Sequence, residues 1–287
     1  MIILQGKHCL ITGASRGLGA GIAAAFWEAG ANLTLVARSA EGLNKVASSL
    51  PARSGQQMIV RPFDLSDPDV PTQLITDMRA TFDAVDVLIN NAAIQGPIGT
   101  TWENDWTEWQ RTIQINLVAP VALCRLCVPW MARQNRGKII NLSGGGAVSS
   151  RPRFSAYAVA KAGLVRFSEN LAEETRDLGI SVNCIAPGAM DTAMLENVLQ
   201  AGPETVGQRE YEQAQRASRQ GGKIIERAVA LALFLASTAS DGITGKLISA
   251  VWDPWASLPE HLDDLRRTDV YTLRRIVPKD RGLEWGE

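Results

Sequence analysis

The stretch that decides the fold is "KHCLITGASRGLG", residues 7–19, close to the start of the chain. Its first part, "KHCLIT", has the short apolar pattern of a buried strand, and the helical pattern "GAGIAAAFWEAG" comes directly after the loop. Glycines permit a tight turn, while a helix N-terminus offers free N–H groups and a favourable dipole to an anion. A glycine-rich turn without a ligand is the alternative, but strand, loop and helix in this order predict a phosphate site.

Beyond this unit, short apolar runs alternate with helical patterns as far as Val251. The further predicted strands are "NLTLVA", "QMIVRPF", "VDVLINNA", "GKIINLSG", "ISVNCIAPG" and "GKLISAV". Nearly continuous apolar strands separated by helices indicate a parallel sheet that is covered on both faces. We therefore predict an α/β fold, with a doubly wound, mostly parallel seven-stranded sheet in one domain over residues 1–251. Residues 252–287 form a C-terminal extension.

Charge and composition exclude several classes of protein. The 287 residues include 29 Lys and Arg against 30 Asp and Glu, so no basic excess indicates nucleic-acid or membrane-surface binding. The start, "MIILQGKHCLITGAS", lacks the charged and apolar regions of a signal peptide. We find no apolar stretch of membrane-spanning length without polar interruption. These features predict a cytoplasmic protein with a small-molecule substrate, no nucleic-acid partner and no membrane contact.

The cysteines offer a possible metal or redox pair, Cys124 and Cys127, with Cys9 and Cys184 elsewhere in the chain. There is no second closely spaced pair, and the sequence has only 2 histidines. We therefore expect reduced, structural cysteines and no metal site.

Several motifs in register resemble the short-chain dehydrogenase/reductase family over about residues 4–251. The glycine loop has the spacing TGxxxGxG, "NNAA" at residues 90–93 is similar to the family's NNAG, and "SAYAVAKAG" at 155–163 carries its YxxxK pair. The segment from Pro187 and Gly188 to Thr192 matches PGxxxT. Ala93 departs from the usual glycine, which affects backbone freedom and removes no reactive group. The resemblance implies a Rossmann-like fold with helices on both faces and a substrate lid at about residues 189–222, in which glycines including Gly221 and Gly222 permit motion.

The resemblance implies a catalytic tetrad of Asn116, Ser143, Tyr157 and Lys161. Residues 157 and 161 share one face of a helix, because i and i+4 side chains are neighbours. An ammonium about 5 Å away, at an effective dielectric of about 20, stabilises a phenolate by roughly 3 kcal/mol, or about 2 pKa units. We therefore expect Tyr157 to be the general acid and base, Ser143 to hold the substrate oxygen, and Asn116 to order a water that links Lys161 to solvent.

The end of the second strand bears on the choice of nicotinamide cofactor. An acidic residue there commonly binds the adenosine ribose and selects NAD, but Ala37 occupies this position and Arg38 follows. Arg38 and Arg16 could bind a 2′-phosphate, so NADP(H) is favoured and NAD(H) stays possible. The resemblance implies these cofactor-binding residues: Gly13, Ser15, Arg16, Gly17, Leu18, Gly19, Arg38, Ser39, Asp64, Leu65, Asn91, Ala92, Tyr157, Lys161, Pro187, Gly188, Met190 and Thr192.

The predicted function is NADP(H)-dependent interconversion of a ketone or aldehyde and an alcohol by hydride transfer (class 1.1.1), as in a carbonyl reductase. An NAD-dependent alcohol dehydrogenase and a reductase of carrier-bound 3-oxoacyl groups are alternatives. The second would need a basic docking patch, to which Arg133, Arg136 and Lys138 only hint. A cofactor-sensing binding protein is the non-enzyme alternative. By resemblance, we expect a homodimer or homotetramer.

Aromatic residues lead to two further expectations. Trp102, Trp106 and Trp109 have helical spacing and predict one stripe used in core or subunit packing. The extension contains Trp252, Trp255, Tyr271 and Trp285, which are costly to leave in water. We expect the extension to dock, and we hypothesise that it covers the active-site mouth of its own or a neighbouring subunit.

Overall fold

A seven-stranded sheet, in which all neighbouring strands pair in parallel, forms the centre of the molecule. The computed structural model describes residues 3–190, 193–219 and 223–285. The strands are β1 (His8–Thr12), β2 (Asn32–Ala37), β3 (Met58–Pro62), β4 (Val87–Asn90), β5 (Gly137–Leu142), β6 (Ile180–Ala186) and β7 (Leu247–Ser249). Their spatial order is β3-β2-β1-β4-β5-β6-β7. The α/β, doubly wound fold class and all seven predicted strands are confirmed.

Helices cover both faces of this sheet. They are α1 (Gly17–Glu28), α2 (Ala40–Ser49), α3 (Val70–Arg79), α4 (Trp106–Ile113), α5 (Ala119–Ala132), α6 (Ser155–Glu174), α7 (Ala193–Val206), α8 (Gln208–Ser218), α9 (Lys223–Ala236) and α10 (Leu262–Arg267). One core packs α1 and α9 against the sheet, and the other packs α3, α5 and the end of α6. Strand residues are buried on both sides, which explains why their sequence is apolar without alternation.

The chain runs as one helical rod from α4 through a π-helical turn, Gln114–Val118, into α5. The rod, Trp106–Ala132, is long enough to cross a membrane and has an 18-residue window with mean hydropathy 1.6, of which half is buried in the protein. That burial and the packing of α5 in the second core identify it as a core helix of this sheet.

The segment predicted to be a lid forms the two helices α7 and α8, hereafter the α7–α8 segment (residues 193–219). It has an apolar cluster of its own, built on Phe154, Leu195 and Val198. Helix α7 breaks at Gly202, where φ is +73°, a conformation that glycine adopts without steric cost. Gly221 and Gly222, which were expected to let the lid move, lie outside the described residues.

The C-terminal extension folds back onto the sheet and α9. Trp255 packs on Phe234 with ring centroids 5.5 Å apart, and Leu258 and Leu265 are buried in the first core. Farther on, the backbone N–H of Leu247 donates to the carbonyl of Tyr271 at 2.8 Å, at the edge strand β7. Docking of the extension is therefore observed, and it takes place against the core and the sheet edge.

The tryptophans correct two expectations. Trp252 and Trp285 are 85% and 69% exposed, so these two extension residues do not dock within the chain. Trp102 precedes α4 and is 83% exposed, so the expected helical stripe is wrong at its first member. Trp106 stacks on Trp109 at 5.0 Å but is itself 63% exposed, outside the core.

The four cysteines are buried free thiols, all within the described residues. Burial raises the pKa of Cys127 and of Cys184 to about 12. At neutral pH both are uncharged and unreactive, as structural cysteines are.

Candidate active site

A cleft of about 730 Å³ lies beyond the carboxyl ends of the strands, next to β1. The strand order reverses at β1, with β2 and β3 on one side of it and β4 to β7 on the other, and ligands of such sheets bind at this point. The structure brings these predicted residues into its lining: Gly13, Ser15, Arg16, Gly17, Leu18, Gly19, Arg38, Ser39, Asp64, Leu65, Asn91, Ala92, Ser143, Tyr157, Lys161, Pro187 and Met190. Residues from the beginning, middle and end of the domain thus converge on one cavity.

Other predicted residues lie outside this lining. Asn116 is fully buried beneath the cleft, and Gly188, with φ of +90°, is packed against Val251. Thr192 lies outside the described residues.

The glycine loop packs closely against the loop that follows β4, at the start of α1. A Cβ added to Gly13, where φ is +67°, would lie 2.7 Å from the Asn91 amide nitrogen and 2.9 Å from Cα of Ala92. A Cβ added to Gly19 would lie 2.6 Å from the same amide. The N-cap residue Arg16 makes no side-chain cap, and the first turn of α1 contains no acid. The uncapped helix N-terminus, where Arg16 and Gly17 line the cleft, fits the phosphates of a dinucleotide.

Hydrogen bonds tie the glycine loop to the loop that follows β4. The Asn91 amide donates to the carbonyls of Thr12 and Gly13 at 2.9 and 3.2 Å. The backbone N–H groups of Asn91 and Ala92 each donate to the Thr12 hydroxyl at 3.0 Å. Thr12 is therefore an organising residue of the cleft, although it was not among the predicted site residues. Its place at the head of TGxxxGxG was the available signal.

The end of the cleft that is formed by the glycine loop and the end of β2 is basic. Arg16 and Arg38 line it beside Ala37, so no carboxylate stands at the end of β2. The Ser39 hydroxyl caps α2 by accepting from the N–H of Gly42 at 3.0 Å. Hydrogen bonds from Ser66 lower the pKa of Asp64 despite the opposing effect of partial burial, and Arg38 and Arg111 add to the lowering. Asp64 is thus an ionised neighbour of Arg38.

The other end of the cleft holds a serine whose hydroxyl is unused. The Ser143 backbone N–H donates to the Ile185 carbonyl at 2.8 Å, which extends the pairing of β5 and β6. Its Oγ is buried and has no hydrogen-bond partner among the residues that the structure describes. A buried, unpaired hydroxyl costs free energy unless a ligand satisfies it, so the site fits a ligand oxygen at this position.

Tyr157 and Lys161 lie one turn apart on α6, and both are buried. The Lys161 Nζ is 5.7 Å from the centroid of the Tyr157 ring and donates to the Leu142 carbonyl at 2.7 Å. Burial lowers the pKa of Lys161 to about 8. Burial also raises the pKa of Tyr157, with Arg151 acting in the opposite direction. The loss of solvation thus outweighs the nearby positive charge, and the expectation that Lys161 makes the phenol more acidic stays a prediction.

Asn116 anchors a loop that lines the cleft. It lies in the π-helical turn between α4 and α5. Its Oδ1 accepts from the backbone N–H of Ile94 at 2.9 Å, and its Nδ2 donates to the Ile94 carbonyl at 2.8 Å. The side-chain amide thus clamps the loop after β4, which lines the cleft, and the expected ordering of a water by Asn116 stays a prediction.

Gly144 is a further residue of the site that sequence reasoning left out. A Cβ at this position would lie 3.0 Å from Cε1 and Cζ of Tyr157 and nearer still to the hydroxyl oxygen. The glycine run after Ser143 was visible in the sequence, but only the structure shows which glycine the phenol needs.

Metal ligands do not come together in the part of the chain that the structure describes: no group there contains three or more His, Cys, Asp or Glu side chains placed to hold an ion.

Sequence comparison decides the family. The family model described as "short chain dehydrogenase" matches residues 7–202. The chain belongs to the short-chain dehydrogenase/reductase family. It is therefore an oxidoreductase that acts on CH–OH and C=O groups of small molecules, in a family that uses NAD(P)(H).

Curated members of the family are similar over most of their length. The chain is 32% identical over 247 residues to a 3-oxoacyl-[acyl-carrier-protein] reductase (FabG) of Chlamydia trachomatis serovar D, which covers 86% of this chain and 96% of that reductase. It is 33% identical over 248 residues to nodulation protein G of a Rhizobium species (strain N33), with the same two coverages.

Solved structures of this family have the same architecture. The crystal structure of levodione reductase superposes with a TM-score of 0.77 at 25% identity, over 90% of this chain and 99% of that one. NAD⁺-bound xylitol dehydrogenase superposes with a TM-score of 0.74 at 25% identity, over 86% and 98%.

Proposed function

We propose that this short-chain dehydrogenase/reductase is an NADP(H)-dependent carbonyl reductase or alcohol dehydrogenase in which Tyr157 exchanges the proton. The observation that carries the proposal is the cleft itself. At one end it has the glycine loop with two arginines, and at the other it has the buried hydroxyl of Ser143 beside Tyr157 and Lys161. One cavity thus offers phosphate-binding groups together with a proton donor.

Each side chain has a defined part in this chemistry. When bound, the nicotinamide cofactor supplies or accepts the hydride. Tyr157 gives its hydroxyl proton to the substrate oxygen in reduction and takes the alcohol proton in oxidation. The Ser143 hydroxyl donates a hydrogen bond to the same oxygen, and Lys161 holds its charge below the phenol ring by bonding to the Leu142 carbonyl. Asn116 keeps the cleft wall in place through Ile94.

The remaining predicted residues would bind the cofactor. The loop with Gly13, Gly17 and Gly19 and the N-terminus of α1 would hold the phosphates, and Asp64 with Leu65 would lie at the adenine. Ser15, Leu18, Asn91, Ala92, Pro187, Gly188, Met190 and Thr192 complete the set on the strength of the family resemblance.

The test of the proton donor is Tyr157→Phe, which removes one hydroxyl and little volume. We expect cofactor affinity in calorimetry to stay within about threefold, while kcat falls by 10² or more, the range that general acid–base catalysis provides. Ser143→Ala is the companion variant and should also lose kcat. Retention of full turnover by Tyr157→Phe would refute the proposed role.

Selection of NADP(H) is supported by Ala37, which leaves out the ribose-binding acid, and by Arg38 and Arg16 in the same part of the cleft. A guanidinium that pairs with a 2′-phosphate makes a charge-assisted, bidentate contact. Arg38→Asp should therefore lower the ratio of kcat/KM for NADPH over NADH by 10-fold or more, and Arg53→Asp, on a loop outside the cleft lining, is the control. A ratio that barely moves in Arg38→Asp would refute the selection of NADP(H).

Reduction of a 3-oxoacyl thioester is the second candidate, favoured by the name of the relative from Chlamydia trachomatis. The basic patch considered for carrier docking does not support it. Arg136 and Lys138 pair with Asp86 and Asp241, and they lie at the beginning of β5, whereas the cleft lies beyond the strand ends. Comparing acetoacetyl-coenzyme A with simple ketones as substrates separates the two candidates.

We also propose that the enzyme assembles as a homodimer or homotetramer in the cytoplasm. Val118, at the end of the π-helical turn, and Val159 on α6 are 44% and 51% exposed, which supports an apolar contact between copies. Light scattering on the purified chain measures the mass, and a monomer at micromolar concentration would refute the assembly.

A further inference from the structure

One arginine outside the predicted tetrad lies beside the proposed proton donor. Arg151 is in the loop between β5 and α6, and its guanidinium carbon is 5.6 Å from the centroid of the Tyr157 ring. The same carbon stacks over the Phe154 ring at 4.0 Å. Its side chain is only 17% exposed. A charge held this close to the phenol, with little water between, acts more strongly than it would at the surface.

The position of Arg151 is set by a carboxylate on the α7–α8 segment. Its Nε donates to Oε1 of Glu210 at 2.9 Å, and its Nη2 donates to the same oxygen. Glu210 lies in the first turn of α8, where a negative charge also suits the helix dipole. The contact therefore joins the α7–α8 segment, whose first residues line the cleft, to the loop that carries Ser143.

Two cations lie close to the phenol ring among the described residues. Lys161, on the same helix as Tyr157, is 5.7 Å from the ring centroid, and Arg151, which pairs with Glu210, is 5.6 Å from it. Burial raises the pKa of Tyr157, and the charge that opposes this effect is that of Arg151. Lys161 itself is less fully charged at mildly alkaline pH, since burial lowers its pKa to about 8.

We propose that Arg151 is a positioning residue of the active site: held beside Tyr157 by Glu210, it stabilises the phenolate and so couples docking of the α7–α8 segment to proton exchange at the phenol. This inference rests on the proposed role of Tyr157. It assigns the segment a task at the proton donor, because Glu210 on α8 holds the guanidinium beside the ring. The ion pair thereby links the position of α8 to the reactivity of the proton donor.

Arg153 provides a matched control on the same loop. Its Nη1 donates to the carbonyls of Glu204 and Thr205, at 2.5 and 2.8 Å, near the end of α7. It therefore anchors the same segment, as Arg151 does, but its contacts are with backbone carbonyls and not with the catalytic ring. A purely structural role for Arg151 would make the two arginines behave alike when they are removed.

The experiment measures the pH dependence of kcat for alcohol oxidation with NADP⁺ in wild type, Arg151→Gln, Arg151→Lys and Arg153→Gln. Oxidation needs the deprotonated phenol, so the rate rises with pH through the ionisation of Tyr157. Without the Arg151 charge, this rising limb should move to higher pH by about half a unit or more. At a pH below the rising limb, kcat of Arg151→Gln should be lower than that of wild type by about threefold or more. Arg151→Lys should restore most of the shift, and Arg153→Gln should leave the limb in place.

A second comparison tests the contribution of Glu210. In a Glu210→Ala background, Arg151→Gln should shift the limb less than it does in wild type, because the guanidinium is no longer held at the ring. An equal or larger shift would overturn the positioning by Glu210.

The possible failures are distinguishable. If wild type is inactive with both nicotinamide cofactors, or if Tyr157→Phe stays active, the proposed function fails. If wild type is active and Tyr157→Phe is not, but the rising limb of Arg151→Gln lies at the same pH as that of Arg153→Gln, the inference about Arg151 is wrong while the proposed function stands.

Discussion

Replacing Gly144 by alanine should impair turnover while leaving cofactor binding intact. The added Cβ would lie 3.0 Å from Cε1 and Cζ of Tyr157 and nearer still to the hydroxyl oxygen. Carbon atoms pack best about 3.5–4.0 Å apart, so the phenol must move by about 1 Å to relieve the contact. A displacement of this size at a reacting group costs about 100-fold in rate, or about 2.7 kcal/mol of transition-state stabilisation.

The neighbouring glycine supplies the control for this prediction. A Cβ on Gly145 would meet its nearest atoms, in Arg151, at 3.7 Å, which is ordinary van der Waals contact. Positive φ is found at Gly146, and at neither of the two glycines before it. Gly144→Ala and Gly145→Ala are therefore equally compatible with the backbone, and they differ only in what the methyl group touches.

The assay is steady-state reduction of a ketone with NADPH, with cofactor affinity from calorimetry and melting temperature as the check on folding. We expect kcat to fall about 100-fold in Gly144→Ala and less than threefold in Gly145→Ala, with cofactor Kd unchanged in both. If Gly144→Ala stays within threefold of wild type, the phenol does not depend on the backbone at this point, and the positional argument for Tyr157 fails.

Three further predictions concern stability. Burial lowers the pKa of His8 from 6.5 to about 4, so the unfolded chain binds the extra proton first, and the free energy of unfolding falls as the pH drops from 6.5 towards 4. Urea unfolding of wild type should show a loss of about 2 kcal/mol by pH 5. An equal loss in His8→Gln would contradict this prediction. Asn116→Ala leaves the backbone N–H and carbonyl of Ile94 without partners and should cost about 2–4 kcal/mol in urea unfolding, so a cost below about 1 kcal/mol would show that the clamp is unimportant. Leu265→Ala should cost about 2–5 kcal/mol of stability without changing KM for cofactor, and a changed KM would indicate that the extension reaches the cleft after all.

The local features of the cleft could be read from the sequence. The loop at Gly13 to Gly19 was predictable because glycine spacing between a strand and a helix is itself the binding geometry. The pairing of Tyr157 with Lys161 was predictable because helical periodicity places residues four apart on one face. The apolar strands were predictable because burial on both faces leaves no alternation in the pattern.

Other features depend on groups that are distant in the chain. The partner of Asn116 is the backbone of Ile94, and no periodicity identifies a partner across a tertiary contact. The exposure of Trp102 and Trp106 likewise depends on which face of α4 the rest of the fold covers. The extension contains docking aromatics, as expected, but the surface that receives them is formed by α9 and β7.

The chain's own pattern of apolar runs, glycines and helix-spaced reactive groups determined that it folds into a parallel sheet with a glycine loop before α1 and a tyrosine–lysine pair, because these properties depend on neighbouring residues. Only the tertiary structure decided how the pair ionises. Burial raises the pKa of Tyr157 and lowers that of Lys161, and the opposing charge comes from Arg151, which a glutamate 59 residues away holds in place. Solvation and long-range charge depend on what packs around a group, and that information does not lie in the local sequence.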